Sequence, residues 1–133
     1  MINLASLITN IQAAIAADSA LSSLNNQVAF GQMTQTATMP YCIISTIGSS
    51  VDAQFGDSFI DNLQIQFSVF DTSMTRASSL IATIGTLFTT TSIAGTLSMR
   101  RCSSVRCVCE GQDANQNFVY HASVDFEVKA SGN

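Results

Sequence analysis

Between residues 63 and 88 the apolar pattern changes period across a single aspartate. Leu63, Ile65, Phe67 and Val69 alternate with Gln64, Gln66 and Ser68, whereas Ala77, Leu80, Ile81, Ile84, Leu87 and Phe88 recur at steps of three and four. A period of two puts every second side chain on one face of a strand, and a period near 3.6 gathers them on one stripe of a helix. The chain must therefore pass from a half-buried strand straight into an amphipathic helix. Asp71 or Ser73 is placed to cap that helix, Asp71 being the preferred reading. Gly85 weakens the last turn, and the helix is expected to end near Thr89.

The flanking segments supply the rest of a sheet and a second helix. Leu4, Leu7, Ile8, Ile11 and Ile15 form one helical stripe with Asn3 as its cap. Residues 18–26, rich in Ser, Asn and Ala, read as the helix exit, and residues 27–31 as a short edge strand. The sole proline, Pro40, opens the run 41–47, which reads as a strand buried mostly on both faces. Residues 48–62 carry two glycines, three aspartates and three serines around Val51, Phe55, Phe59 and Ile60, so they read as the tip of a long hairpin arm. Residues 97–110 are expected to form one long strand, and residues 111–117 a turn. Phe118, Tyr120, Ala122, Val124, Phe126 and Val128 then alternate with polar residues, the pattern of a strand with one face buried.

This order predicts an α+β fold: a mostly antiparallel sheet packed on one face by two α-helices, with a long hairpin or loop arm. At 133 residues the chain is one domain, residues 1–133, with no internal repeat or linker. Burial of Phe67 or Phe126 is worth about 1.5–3 kcal/mol each. Polar substitution there is expected to destabilise more than any change in the arm.

Only 11% of the residues are charged, and the formal net charge is −4, which disfavours tight phosphate binding and hints at surface covered by partners. The start is apolar but lacks a cationic lead and is interrupted by Asn3, Thr9, Asn10 and Gln12, so it reads as mature structure. No run approaches the roughly 18 apolar residues of a membrane span, so a soluble protein without membrane contact is expected. Four cysteines without a secretory signal suggest reduced thiols.

No chemistry-bearing constellation stands out. Cys102, Cys107 and Cys109 have spacings unlike those of zinc ligands and read as small core hydrophobes. His121, Ser123 and Asp125 share a strand face, but His121 and Asp125 would stand about 13 Å apart, too far for a triad, and His121 reads as solvent-facing. Asp52, Asp57 and Asp61 lack the alternation of a calcium loop. Arg100, Arg101 and Arg106 are the basic cluster, short of the about six to ten phosphate contacts that strong DNA binding requires. No glycine-rich phosphate loop occurs. No catalytic residue, metal or cofactor is expected, and an enzyme is not.

The N-terminal helix, the strand opening on Pro40, Tyr41, Cys42, Ile43 and Ile44, the strand LQIQFSVFD, the helix TRASSLIATIGTLF and the closing hairpin together resemble the tail terminator family of long-tailed bacteriophages. The likeness covers nearly the whole chain and centres on Val69, Phe70, Asp71, Arg76 and Ala77. It implies a structural virion protein without enzymatic activity, assembled in the host cytoplasm and placed at the head-tail junction. There it would form a ring, in the family a hexamer, that stops the tail tube and joins it to the head connector, with DNA passing through the lumen without specific binding. Six copies at −4 each would carry −24. Under that reading the arm residues Val51, Asp52, Phe55, Asp57 and Phe59 contact tube or neighbour, and Arg100, Arg101 and Arg106 pair between subunits. The alternatives are a stopper, an adaptor or a tube subunit, and in another class a small ligand-binding domain using Gln64, Gln66 and His121.

Overall fold

The computed structural model describes residues 3–34, 37–55, 58–96 and 98–132. Helix α1 (Leu4–Ala17) starts where Asn3 Oδ1 accepts the Ser6 amide at 3.1 Å, and it buries Leu7, Ile8, Ile11 and Ile15. The exit is a 3-10 turn, Ser19–Leu24, begun by Asp18 and burying Leu21 and Leu24. There follow β1 (Val28–Phe30), β2 (Tyr41–Phe55), β3 (Ser58–Asp71), α2 (Met74–Thr90), β4 (Ser98–Arg101), β5 (Arg106–Gln112) and β6 (Phe118–Gly132).

Among the described residues these strands make one mixed sheet in the order β1-β2-β3-β6-β4, with β5 also paired to β6. Only the β1–β2 pair is parallel. One face carries Cys42, Ile44, Ile65, Phe67, Val69, Ala122, Val124, Phe126 and Val128, all fully buried against the stripes of α1 and α2. Phe88 of α2 stacks on Phe67 at 5.0 Å and meets Phe126 edge-on at 6.1 Å, while Phe67 and Phe126 meet edge-on at 5.7 Å. That trio ties α2 to the two central strands, and offset or edge-on aromatic pairs add about 0.5–1.5 kcal/mol each beyond their burial. The α+β two-layer reading is therefore the observed architecture.

Several local expectations are corrected. Ser73, not Asp71, caps α2, because its Oγ lies three residues before the Arg76 amide and accepts it at 3.2 Å. Asp71 instead ends β3, fully buried, where it accepts from Thr72 N at 2.7 Å and from the Arg76 guanidinium. The helix runs to Thr90, and Gly85 sits buried within it, five residues before its end. The run 41–47 is fully buried only on one face, at Cys42 and Ile44; Tyr41, Ile43 and Ser45 on the other face are half-buried, and Thr46 and Ile47 at the end of the run are exposed. The arm is a hairpin, as its sequence suggested: β2 and β3 stay paired from Tyr41↔Phe70 out to Phe55↔Ser58.

The expected single strand over residues 97–110 is two. Leu97 lies outside the described residues. Arg101 pairs with Phe126 and Arg106 with Ser123, so four residues of one strand face two of the other. Within this break the Cys102 amide donates to Asp125 O at 2.9 Å, and the Asp125 amide donates to Ser103 Oγ at 2.9 Å, a side chain replacing a ladder carbonyl. The bulge leaves Cys102 exposed. Cys109 is also exposed and Cys107 half-buried, because β5 is an edge strand whose register past Ala122 leaves the core. Of the four cysteines only Cys42 is a true core residue.

Candidate functional site

The sheet face away from the helices is polar but not simply solvated. Ser68, Ser123 and Asp125 on it are buried beneath longer neighbours. Arg106 Nη2 donates to both Asp125 oxygens at 3.2 and 3.3 Å, its Nε donates to Ser123 Oγ at 3.4 Å, and Gln66 Nε2 donates to Asp125 Oδ1 at 3.1 Å. One register step along, Arg100 Nη2 donates to Glu127 Oε1 at 3.2 Å. At the other end of β6, His121 is half-buried, not solvent-facing. Its ring stacks on Phe70 at 4.4 Å, Phe70 in turn lies 5.5 Å from Tyr41, and Nδ1 presents its proton to Glu110 Oε1 at 2.8 Å. Nε2 is buried without a partner among the described residues.

His121 turns to Glu110 while Ser123 and Asp125 share Arg106, so the three make no relay. Among the described residues no three His, Cys, Asp or Glu side chains gather as metal ligands do. Burial pushes the Cys42 thiol up to about 12, the reverse of what a nucleophilic thiolate needs.

The interface residues named from sequence fall in two places. Val51, Asp52, Phe55 and Phe59 belong to the paired strands of the arm, while Asp57 lies outside the described residues. Past the Ser50↔Asn62 pair the sheet narrows to β2, β3 and the end of β6, which accompanies β3 as far as Phe59↔Gly132. The β2–β3 register slips between Val51 and Ala53, so Asp52 is the unpaired residue of a bulge.

The three arginines separate. Arg100 and Arg106 face the polar side and find carboxylates in their own chain. Arg101, opposite Phe126, faces the helix side and reaches over α2: its Nη1 lies 3.8 Å from where a Cβ on Gly85 would stand. There, Gly85, Thr86, Thr89, Thr90, Met99, Arg100 and Arg101 line an open groove of 520 Å³. Sequence reasoning grouped the three as one cluster, although strand alternation alone puts the adjacent Arg100 and Arg101 on opposite faces and Arg106, six residues on, on the face of Arg100.

No protein-family model matches the chain, and no curated protein matches it. Among solved structures, a chain from the virion of a native gene transfer agent (GTA) particle superposes with a TM-score of 0.67 at 10% identity, over 97% of this chain and 97% of that one. At that identity the likeness is one of fold.

Proposed function

We propose that this chain is a structural protein of a phage-like particle, and within it a tail terminator. It would sit in the virion at the head-tail junction, after assembly in the host cytoplasm, as a hexameric ring that caps the tail tube, meets the head connector and lets DNA through without holding it. The observation that carries this reading is the end-to-end likeness to a chain of a gene transfer agent virion, 97% of each chain. On the polar face the ionic groups pair with one another, Arg106 with Asp125 and Arg100 with Glu127, an arrangement that fits a structural role. Ring subunits meet through two different surfaces, and the chain offers an arm and, across the sheet from β2, the β4 edge that begins level with the arm's base. Val51, Asp52, Phe55, Asp57 and Phe59 are assigned to the first, and Arg101 with Arg100 and Arg106 to the second.

Native mass spectrometry of the purified chain, alone and with tail tube protein, tests this. A hexamer, or a monomer that becomes one on tube addition, is expected. A chain that stays monomeric in both and gains thermal stability from a small ligand would sink it.

A further inference from the structure

We infer that the outer edge of β5 pairs antiparallel with the same edge of a second copy of this chain, about a two-fold axis at Val108. Among the described residues no strand lies beyond β5, and all of its residues but Cys107 are exposed, Val108 by 54%. The neighbouring break shows which of its backbone groups face out. The Asp125 amide and carbonyl both point to this side of β6. Since β6 runs against β3 without a register shift, those of Ser123 and His121 point the same way. Their partners Arg106 and Val108 therefore bond to β6, which leaves the N–H and C=O of Cys107 and Cys109 facing outward. No proline or lysine blunts that edge.

The edge is complementary to itself. It reads Arg106, Cys107, Val108, Cys109, Glu110, so an antiparallel copy centred on Val108 sets valine against valine and Arg106 against the partner subunit's Glu110, twice by symmetry. The Cys107–Cys109 pairs would carry the backbone hydrogen bonds, and Arg106 and Glu110 fall at the closer, non-hydrogen-bonded positions, where opposite charges stabilise. Both side chains are held on the face that carries Val108, Arg106 by Ser123 and Asp125 and Glu110 by His121. Each remains about half exposed, at 49% and 47%, with Nη1 of the one and Oε2 of the other lacking a partner among the described residues. Tyr41, Phe70, His121 and Val108 are register partners across β2, β3, β6 and β5, so the second valine extends an apolar row and covers its exposed end. The register shift between Cys109 and Gly111 ends the usable edge at Glu110.

Five residues a side are far fewer than the about 20–30 of a stable interface, so the dimer is weak and appears only with concentration. It is isologous, closes at two copies and does not depend on the ring reading; where a ring forms, both contacts claim Arg106, so the dimer belongs to the free chain.

Analytical ultracentrifugation of the full chain over a concentration series tests this. Wild type is expected to pass from 14.1 kDa to twice that mass. Val108→Lys and Val108→Glu each set like charges against one another on the axis and are expected to weaken the dimer about tenfold or more, whereas their equimolar mixture, which sets lysine against glutamate, is expected to recover it. Because Val108 is exposed, thermal melts of both variants are expected to match wild type. A chain that stays monomeric at every concentration, variants that associate as wild type does, or a mixture no better than either variant alone would overturn the β5 contact. Hexamers whose formation ignores both variants would overturn it too, while supporting the ring.

Discussion

Asp71 is fully buried at the end of β3, and Arg76, in the first turn of α2, holds both of its oxygens, Nη2 to Oδ1 at 2.7 Å and Nε to Oδ2. The pair fixes the angle at which the central strand becomes the core helix. Removing the cation strands a carboxylate inside the fold. Because Arg76 is itself 46% exposed, water can partly replace it, and Arg76→Ala is expected to cost about 1–3 kcal/mol. Arg100→Ala breaks a pair whose arginine is 72% exposed and should cost under about 1 kcal/mol. Urea midpoints of the two variants check the order, and equal losses would contradict the assignment.

The strand-to-helix junction was legible because its two periods are set by residues that all face one core. Leu63, Ile65, Phe67 and Val69 and the stripe from Ala77 to Phe88 are buried as their spacing requires, apart from the half-buried Leu87. What local pattern could not reveal is what a distant strand supplies. The role of Asp71 depends on Arg76 coming round the first turn, and Ser73 was the equally spaced competitor for the cap. The break in residues 102–105 depends on the Ser103 hydroxyl meeting the Asp125 amide, 22 residues away. The separation of Arg101 from Arg100 and Arg106, by contrast, follows from strand alternation alone and was open to sequence reasoning. Ser123 and Asp125 read as solvated, since nothing local to β6 shows that Arg106 and Gln66 lie over them.

Gly85 is buried in the interior of α2, where glycine costs about 0.5–1 kcal/mol relative to alanine. An added Cβ would meet Arg101 Nη1 at 3.8 Å and Cδ at 4.0 Å, ordinary contacts. Gly85→Ala is therefore expected to raise stability by about 0.5–1 kcal/mol, read as a higher urea midpoint at unchanged slope. A lower midpoint would mean that the groove floor is tighter than the geometry allows.

Phe126 is fully buried in the aromatic trio and Phe118, on the same strand, is 54% exposed. Phe126→Ser removes a large apolar side chain, leaves a cavity and buries a hydroxyl, so a loss of about 3–5 kcal/mol is expected. Phe118→Ser should change stability by about 0.5 kcal/mol or less. Phe55→Ser, in the arm, is expected to melt later than Phe126→Ser as well. Comparable melting temperatures for the three would place the core elsewhere.

Cys42 gives the fold an alkaline limit. Burial raises its thiol from 9.0 to about 12, outweighing a smaller opposing effect from the Ser68 backbone. The folded state therefore holds the proton where the unfolded chain has lost it, and stability is complete below pH 9 and falls as pH rises through the interval from 9 to about 12. The whole interval is worth up to roughly 4 kcal/mol for a single fully buried group. Cys42→Ala should be less stable at neutral pH yet lose less stability on going from pH 8.5 to 10.5, so the two denaturation curves converge. Thiol labelling gives a second readout at pH 8: exposed Cys102 and Cys109 react at once, and Cys42 reacts only at the rate of unfolding. Prompt labelling of Cys42 in the folded chain, or identical pH slopes for the two proteins, would show that this thiol does not sit in the core between β2 and the helices.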